Sequence, residues 1–252
     1  MHIQNSSIII TGGASGMGAA TARLLSKTGA KVAILDTQLE AAQKIASAIQ
    51  GCAIYCDVTQ AESVEQAIEK AASQFGPARI CINCAGIVHS RRMVNKQGVM
   101  PLEEFRHVIE VNLIGTFNVM RIAVQAMQQL SIPDDSEERG VIINTASIAA
   151  FEGQIGQTAY SASKGGMISL TLPAARELAP FNIRVMAIAP GIVDTPMFEK
   201  ISLEAKKALI DAVPFPKRLA HPDEYAMLVK QIIENTMLNG TTIRLDGACR
   251  LG

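Results

Sequence analysis

The sequence predicts one α/β domain built on a doubly wound parallel sheet, and three observations support this. Short apolar segments of strand type alternate with longer amphipathic segments along the chain. Most of the short segments are continuously apolar, as expected for parallel strands covered on both faces. No linker-like or low-complexity segment divides the 252 residues, so we expect a single domain over residues 1–252.

Each element follows from its local pattern. Strands are predicted where β-branched and small apolar residues cluster, at Ser7–Thr11, Lys31–Asp36, Cys52–Val58, Ala78–Ala85, Val141–Ala146, Arg184–Ala189 and Thr242–Leu245. Helices are predicted where the apolar period is close to that of a helix turn, at Gly16–Thr28, Gln38–Ile49, Ala61–Phe75, Leu102–Leu130, Thr158–Ala179 and Pro222–Asn235.

Two long connections follow predicted strands. Val88–Pro101 is a basic insertion, and Gly191–Pro216 contains a short predicted helix at Leu203–Ala212. Because ligands of doubly wound sheets bind at the carboxyl ends of the strands, we expect both connections to line a substrate site.

Composition and charge narrow the possible functions. Hydrophobic residues make up 48% of the chain and charged residues 18%, which indicates a substantial core. The net charge of zero argues against nucleic acid or an anionic membrane as the main partner. Apolar runs such as Ile8–Ile10 are too short to span a bilayer, and the first residues, MHIQNSS, resemble neither a signal nor a transit peptide.

The five cysteines are odd in number and dispersed, which favours a reducing compartment, so we expect a cytoplasmic protein. Cys81 and Cys84 have the spacing of a redox pair, but the surrounding ARICINCAG is typical of a buried strand. No second pair completes a zinc site, and we predict no metal site. The alternative, redox or metal use of this pair, is disfavoured.

A glycine-rich turn follows the first predicted strand in SIIITGGASGMG. Gly12, Gly16 and Gly18 allow a tight turn and close approach of a ligand, and the next helix presents free N–H groups to a pyrophosphate. This strand–turn–helix context predicts a dinucleotide site, whereas the alternative is a turn that only connects two elements.

The cofactor is predicted from the end of the second strand. Asp36 lies 18 residues after Gly18, where a carboxylate accepts hydrogen bonds from a ribose diol and repels a 2′-phosphate. No Arg or Lys lies in residues 11–18 or 37–39 to favour that phosphate, so NAD is predicted over NADP. Asp36 also suits a helix N-cap, and the two roles are compatible.

The stretch TAYSASKGG suggests acid–base chemistry. Tyr160 and Lys164 are four residues apart and share one helix face. A free phenol has a pKa of about 10, and a nearby ammonium is expected to lower that pKa toward the range useful for catalysis. Ser147, at the end of the fifth predicted strand, can hydrogen-bond the substrate oxygen. The alternatives are a core tyrosine beside a surface lysine, and a capping serine.

Together these features resemble the short-chain dehydrogenases/reductases. The matching residues are TGGASGMG, Asn83–Gly86, Asn112, Ser147, YSASK at Tyr160–Lys164, and Pro190–Gly191. Within that family, the segments around FEGQIGQ and VPFPKRLAHPDEYAMLVKQIIEN are similar to the type 2 3-hydroxyacyl-CoA dehydrogenases, a group also described as 17β-hydroxysteroid dehydrogenase type 10. The resemblance implies a Rossmann domain with seven parallel strands, NAD as cofactor, and commonly a homotetramer.

The resemblance also implies residue roles. Asn112 would support a water and proton relay, although a mid-helix Asn is more often a packing residue, and Lys164 would bond the nicotinamide ribose. Asp57 and Val58 would hold the adenine, with a strand-to-helix cap as the alternative for Asp57. The other implied cofactor contacts are Ser15 and Met17 in the phosphate loop, the Cys84 backbone near the adenine ribose, Gly86, and Val193 and Thr195 at the carboxamide.

The substrate is less clearly indicated. The resemblance implies a 3-hydroxyacyl-CoA as substrate, bound at Ser147 and Tyr160. Gln154 lies between these two residues in the sequence, and we expect it to contact a polar group of the substrate. The insertion carries Arg91, Arg92 and Lys96, which either meet coenzyme A phosphates or form a solvated loop. Met197, Phe198, Ile201, Leu203 and Leu209 suit an apolar acyl chain or a steroid.

Other functions remain open from the sequence. The alternatives are an NAD-linked dehydrogenase of hydroxysteroids or other secondary alcohols, and a non-catalytic scaffold role, known for one member of the resembled group in a tRNA-processing complex. The intact set of Ser147, Tyr160 and Lys164 argues against a purely non-catalytic role. Asp36 argues against an NADPH-linked ketoacyl-carrier-protein reductase.

Overall fold

The computed structural model describes residues 1–134, 136–196 and 203–251, and it confirms the predicted doubly wound parallel sheet. The seven strands of the main sheet are β1 (Ser7–Thr11), β2 (Lys31–Asp36), β3 (Cys52–Tyr55), β4 (Ile80–Asn83), β7 (Gly140–Thr145), β8 (Ile183–Pro190) and β9 (Thr242–Leu245). Their order is β3-β2-β1-β4-β7-β8-β9, and every neighbouring pair is parallel. The strand order reverses between β1 and β4, where a ligand crevice forms in this architecture.

The helices lie near their predicted positions. They are α1 (Gly16–Lys27), α2 (Leu39–Ala48), α3 (Ala61–Phe75), α4 (Leu102–Ile109), α5 (Gly115–Gln128), α6 (Thr158–Leu178), α7 (Leu203–Asp211) and α8 (Pro222–Glu234). None of the helices within the described ranges is long and apolar enough to cross a membrane.

Two features differ from the sequence prediction. The long helix predicted over Leu102–Leu130 is interrupted by a π-helical turn, Glu110–Ile114. The basic insertion contains a short antiparallel hairpin of β5 (Val94–Asn95) and β6 (Gly98–Val99). Strands of two residues are too short to produce a recognisable period in the sequence.

The sheet is covered on both faces, as its apolar strands predict. Ile9 of β1 belongs to a cluster with residues of α3 and α5, whereas Ile8 and Ile10 belong to a cluster with residues of α1 and α8. Neighbouring residues of one strand therefore pack into opposite layers, because side chains alternate between the faces of a sheet.

A buried ion pair supports the amino end of the sheet. Arg184 of β8 donates from Nε to Glu138 Oε2 at 2.5 Å and from Nη1 to Leu238 O at 2.7 Å. Glu138 and Arg184 are only 5% and 6% exposed, and Glu138 Oε1 also lies 2.8 Å from the Met1 ammonium. Removing the Glu138 carboxylate would therefore leave the Arg184 guanidinium buried without its charged partner.

Tyr225 of α8 makes hydrogen bonds at the opposite, carboxyl end of the sheet. Tyr225 is completely buried, and its hydroxyl lies 2.8 Å from Thr145 Oγ1 at the end of β7. Thr145 Oγ1 donates its single proton to Asn83 O at 2.6 Å, so Tyr225 is the donor in its contact with Thr145. The Cys84 thiol in turn donates to the Tyr225 hydroxyl at 3.6 Å.

We expect Tyr225→Phe to lower the free energy of unfolding by about 1–2 kcal/mol, because it removes the buried hydrogen bonds that the Tyr225 hydroxyl makes with Thr145 Oγ1 and Cys84 Sγ. Urea denaturation measures the change. Tyr55→Phe is the matched control, since Tyr55 is 53% exposed and its replacement should change stability by less than about 0.5 kcal/mol. Equal stabilities of Tyr225→Phe and the wild type would contradict the prediction.

Candidate active site

The glycine-rich turn packs closely against the residues that follow β4. Gly12 has a φ of +65°, and a Cβ there would lie 2.6 Å from Ala85 N. Gly16, the first residue of α1, has a φ of +52°, and its Cβ would lie 3.2 Å from the Thr195 side chain. Side chains are therefore excluded where the turn meets β4, and the predicted contact residue Thr195 lies next to the first turn of α1.

Asp36 lies beside this turn. Its Oδ2 accepts a hydrogen bond from Ala14 N at 3.0 Å, and its Oδ1 accepts one from Gln38 N at 2.9 Å. The carboxylate therefore links the glycine-rich turn to the segment that begins α2. Its capping contact leaves lone pairs available for a diol, so both predicted roles fit the geometry.

Asp57 and Val58 follow β3. Asp57 Oδ1 accepts from Thr59 N at 3.0 Å and from Thr59 Oγ1 at 2.8 Å, which is the local cap considered from the sequence. The buried Val58 packs against Gly115, whose Cβ would lie 2.6 Å from Val58 Cγ2, and its carbonyl accepts from Asn118 Nδ2 at 2.9 Å. Val58 is thus fixed by α5 near the carboxyl edge of the sheet.

Ser147, Tyr160 and Lys164 come together at the ends of β7 and α6. The Ser147 side chain lies close enough to the Tyr160 hydroxyl to lower the pKa of the phenol by hydrogen bonding. Ser147 Oγ also accepts from Ala149 N at 3.1 Å, so the capping role exists together with the contact to the phenol. Lys164 Nζ lies 5.8 Å from the centroid of the Tyr160 ring and donates to Thr145 O at 2.6 Å.

The predicted lowering of the Tyr160 pKa is wrong for this structure. Burial raises the pKa of Tyr160, and the hydrogen bond with Ser147 opposes that rise only in part. Burial also lowers the pKa of Lys164 to about 8. Helical spacing correctly placed the two groups together, but desolvation disfavours the charged form of each and outweighs their proximity.

Asn112 lies in the π-helical turn and is completely buried. Its Oδ1 accepts from Ile87 N at 2.8 Å, and its Nδ2 donates to Ile87 O at 2.9 Å and to Ser163 Oγ at 3.1 Å. A Cβ on Gly86 would lie 3.2 Å from Asn112 Oδ1 and 3.6 Å from Lys164 Nζ. The side chain therefore joins the segment after β4 to α6, directly beside the ammonium.

The two cysteines of the CxxC spacing are not arranged as a redox pair. Burial raises the pKa of the Cys81 thiol to about 12 and also raises the pKa of Cys84. Cys84 N donates to Thr11 O at 3.1 Å, so its backbone lies beside the start of the glycine-rich turn. Among the described residues, no group of three or more His, Cys, Asp or Glu side chains could hold a metal ion.

The sequence analysis missed Thr145 and Tyr225. Thr145 accepts from Lys164 through its carbonyl and contacts Tyr225 through its hydroxyl. Because Tyr225 is distant in sequence from the YSASK motif, only the packing of α8 against the sheet reveals the connection. The single available signal was that Tyr225 is one of three tyrosines in the chain.

The residues predicted around the substrate are distributed as follows. The partly buried Gln154 follows β7, and its N–H donates to Gln157 Oε1 at 3.0 Å. Arg91 is paired with Glu104 at 2.5 Å, so it is partly neutralised, while Arg92 and Lys96 are exposed.

The remaining predicted residues lie in the connection after β8. Val193 is buried and pairs with Ala220, and Leu209 packs against a small cluster that includes Val213. Met197, Phe198, Ile201 and the Leu203 side chain lie outside the described residues.

Comparison with known proteins agrees with this geometry. A family model described as short chain dehydrogenase matches residues 6–206. The 3-hydroxyacyl-CoA dehydrogenase type-2 of Bos taurus is 50% identical over 247 residues, which cover 96% of this chain and 94% of the bovine protein.

Solved structures show the same relationship. A 3-hydroxyacyl-CoA dehydrogenase type-2 from Mycobacterium avium has a TM-score of 0.93 at 39% identity, covering 98% of this chain and 97% of that one. A 3-ketoacyl-(acyl-carrier-protein) reductase from Brucella melitensis complexed with NADH has a TM-score of 0.87 at 31% identity, covering 98% of both chains. The resemblance predicted from the motifs is confirmed, and the chain belongs to the short-chain dehydrogenase family.

Proposed function

We propose that this chain is an NAD-dependent 3-hydroxyacyl-CoA dehydrogenase, which interconverts 3-hydroxyacyl-CoA and 3-ketoacyl-CoA by hydride transfer. The observation that carries the proposal is the cluster of Ser147, Tyr160 and Lys164 at the carboxyl edge of the sheet that also holds the glycine-rich turn. The substrate class rests on the bovine relative, half of whose aligned residues are identical to this chain.

The residues present fit NAD. Gly12 and Gly16 have positive φ angles, which let the turn lead tightly from β1 into α1, and the first N–H groups of α1 suit a pyrophosphate. The Asp36 carboxylate beside them suits a ribose diol and disfavours an added phosphate. When bound, the nicotinamide would accept or donate the hydride. We assign further cofactor contacts to Ser15, Met17, Gly18, Asp57, Val58, Cys84, Gly86, Tyr160, Lys164, Val193 and Thr195.

Tyr160 is the proposed general acid and base. In the reducing direction its hydroxyl gives a proton to the substrate carbonyl oxygen, and in the oxidising direction the phenolate accepts the hydroxyl proton. The raised pKa keeps Tyr160 protonated in the free chain, which prepares it for the reducing direction. Ser147 Oγ, already bonded to this phenol, would hydrogen-bond the same substrate oxygen.

Lys164 and Asn112 have supporting roles. The Lys164 ammonium uses one N–H on Thr145 O and keeps two donors for the nicotinamide ribose and the phenol. The Asn112 side chain is committed to Ile87 and Ser163, so it supports a proton relay by positioning the segment beside Lys164. Gln154 is the proposed polar contact to the substrate beyond Ser147 and Tyr160.

We further propose that the protein is a homotetramer located in the cytoplasm. A homotetramer follows the family resemblance, and the exposed apolar side chains of Leu102, Ile114 and Phe117 offer surface for a second copy to cover. A cytoplasmic location is supported by five free cysteines.

The proposal is tested by mixing purified protein with acetoacetyl-CoA and either NADH or NADPH, and following the nicotinamide absorbance. We expect rapid consumption of NADH and much slower consumption of NADPH, because Asp36 repels the 2′-phosphate. No consumption of NADH would overturn the acyl-CoA assignment. Faster turnover with NADPH would overturn the cofactor assignment.

Tyr160→Phe should lower kcat by at least about a hundredfold, because the phenyl ring keeps the packing but has no transferable proton. NADH binding, measured by fluorescence titration, should remain. Tyr55→Phe is again the matched control and should keep wild-type turnover, since Tyr55 is exposed. Turnover of Tyr160→Phe near that of the wild type would exclude Tyr160 as the proton carrier.

The pH dependence follows from Lys164. Its pKa of about 8 means that the ammonium is charged below pH 8 and becomes neutral above it, while Tyr160 stays protonated. We therefore expect kcat/KM for NADH to be level below about pH 8 and to fall above it, because this ratio reports the free enzyme. Lys164→Arg, which keeps its charge, should remove that fall in whatever activity remains. A wild-type profile level to pH 10 would contradict the assignment.

A further inference from the structure

The segment 148–157 connects Ser147 to the start of α6 and carries Gln154, so it forms one side of the proposed substrate site. It begins with a short 3₁₀ helix, Ile148–Ala150, and its Gly156 O accepts from Arg91 N at 2.9 Å. Thus it touches the basic insertion on one side. What holds its opposite side determines where Gln154 lies relative to Ser147 and Tyr160.

That opposite side is held by Arg244 of β9. Its Nη1 and Nη2 donate to the two carboxylate oxygens of Glu152 at 2.7 and 2.9 Å. Nε donates to Asp246 Oδ2 at 2.7 Å, and Nη2 also donates to Cys249 O at 3.1 Å. The guanidinium carbon lies 4.9 Å from the centroid of the Phe151 ring. Two parallel hydrogen bonds fix direction as well as distance, which a single contact does not do.

The residues around Arg244 also contact the connection after β8. A Cβ on Gly191 would lie 2.9 Å from Asp246, and Cys249 is buried in a cluster with Ile148 and Ile192. The guanidinium thus joins the segments that follow β7 and β9, and its partner Asp246 packs against the segment that follows β8. The segments after β7 and β8 border the proposed substrate site. The glycine-rich turn and Asp36 are not among the contacts of the guanidinium.

We infer that the bidentate ion pair of Arg244 and Glu152 positions the 148–157 segment and thereby sets the affinity for the acyl substrate, but not for the dinucleotide. This inference rests on the function proposed above. Neither residue touches the reacting atoms, so both are positioning residues. Arg244 and Glu152 have side chains 23% and 26% exposed, and such half-buried bidentate pairs hold a loop more firmly than a mobile surface pair.

The experiment compares the wild type with Glu152→Gln, Arg244→Ala and the double variant. We expect KM for acetoacetyl-CoA to rise about tenfold in each single variant, because the released segment no longer holds Gln154 in position to contact the substrate. KM for NADH should change by less than about twofold. The double variant should be no worse than Arg244→Ala, since the contact between Arg244 and Glu152 is already lost in Arg244→Ala.

Glu138→Gln is the control for a merely structural effect. It breaks the buried Arg184–Glu138 pair at the opposite end of the sheet, and should lower the melting temperature while leaving both KM values unchanged. Hydrogen exchange gives a readout that does not depend on activity. Glu152→Gln should speed exchange in residues 148–157, where Glu152 N donates to Ile148 O at 3.0 Å, whereas Glu138→Gln should not.

The outcomes separate the two proposals. A wild type that does not turn over acetoacetyl-CoA overturns the proposed function. The exchange measurement then still decides whether the Arg244–Glu152 ion pair holds the 148–157 segment in place. An active wild type whose Glu152→Gln variant keeps its KM for acetoacetyl-CoA, or raises KM for NADH equally, overturns the inference. Unchanged exchange in residues 148–157 also overturns it.

Discussion

The parallel pairing of β1, β4 and β7 is the constraint on which the site depends. It brings Thr11, Asn83 and Asn144 side by side at one edge of the sheet, because parallel strands all end in the same direction. The glycine-rich turn continues from the first of these strands, and Ser147 follows the last. Buried hydrogen bonds fix the register at this edge, including one from Asn83 Nδ2 to Asn144 Oδ1 at 2.9 Å.

Desolvation dominates the electrostatics of this edge. The phenol of Tyr160 and the ammonium of Lys164 are held together in a buried position, where each is biased toward its neutral form. Their proximity therefore matters most when a substrate oxygen or a cofactor supplies further partners. The supporting groups behind them, Thr145 and Asn112, are hydrogen-bonded to Lys164 and to the backbone of Ile87, and these bonds position them.

Most of the fold could be predicted because its signals are local. Ser7–Thr11, Lys31–Asp36, Thr242–Leu245 and Ala61–Phe75 have the bounds predicted from apolar period and helix signals. The π-helical turn at Glu110–Ile114 could not, because one wider turn leaves the apolar pattern almost unchanged.

The sequence by itself determined the sheet architecture, the family and the residue types of the site, because strand–turn–helix signals and short motifs lie within a few residues of each other. Only the tertiary structure decided the direction of the Tyr160 and Lys164 pKa shifts, the commitment of the Asn112 amide, and the meeting of Tyr225 with Thr145 and of Arg244 with Glu152. These depend on burial and on contacts between residues far apart in the chain, which no local pattern of residues records.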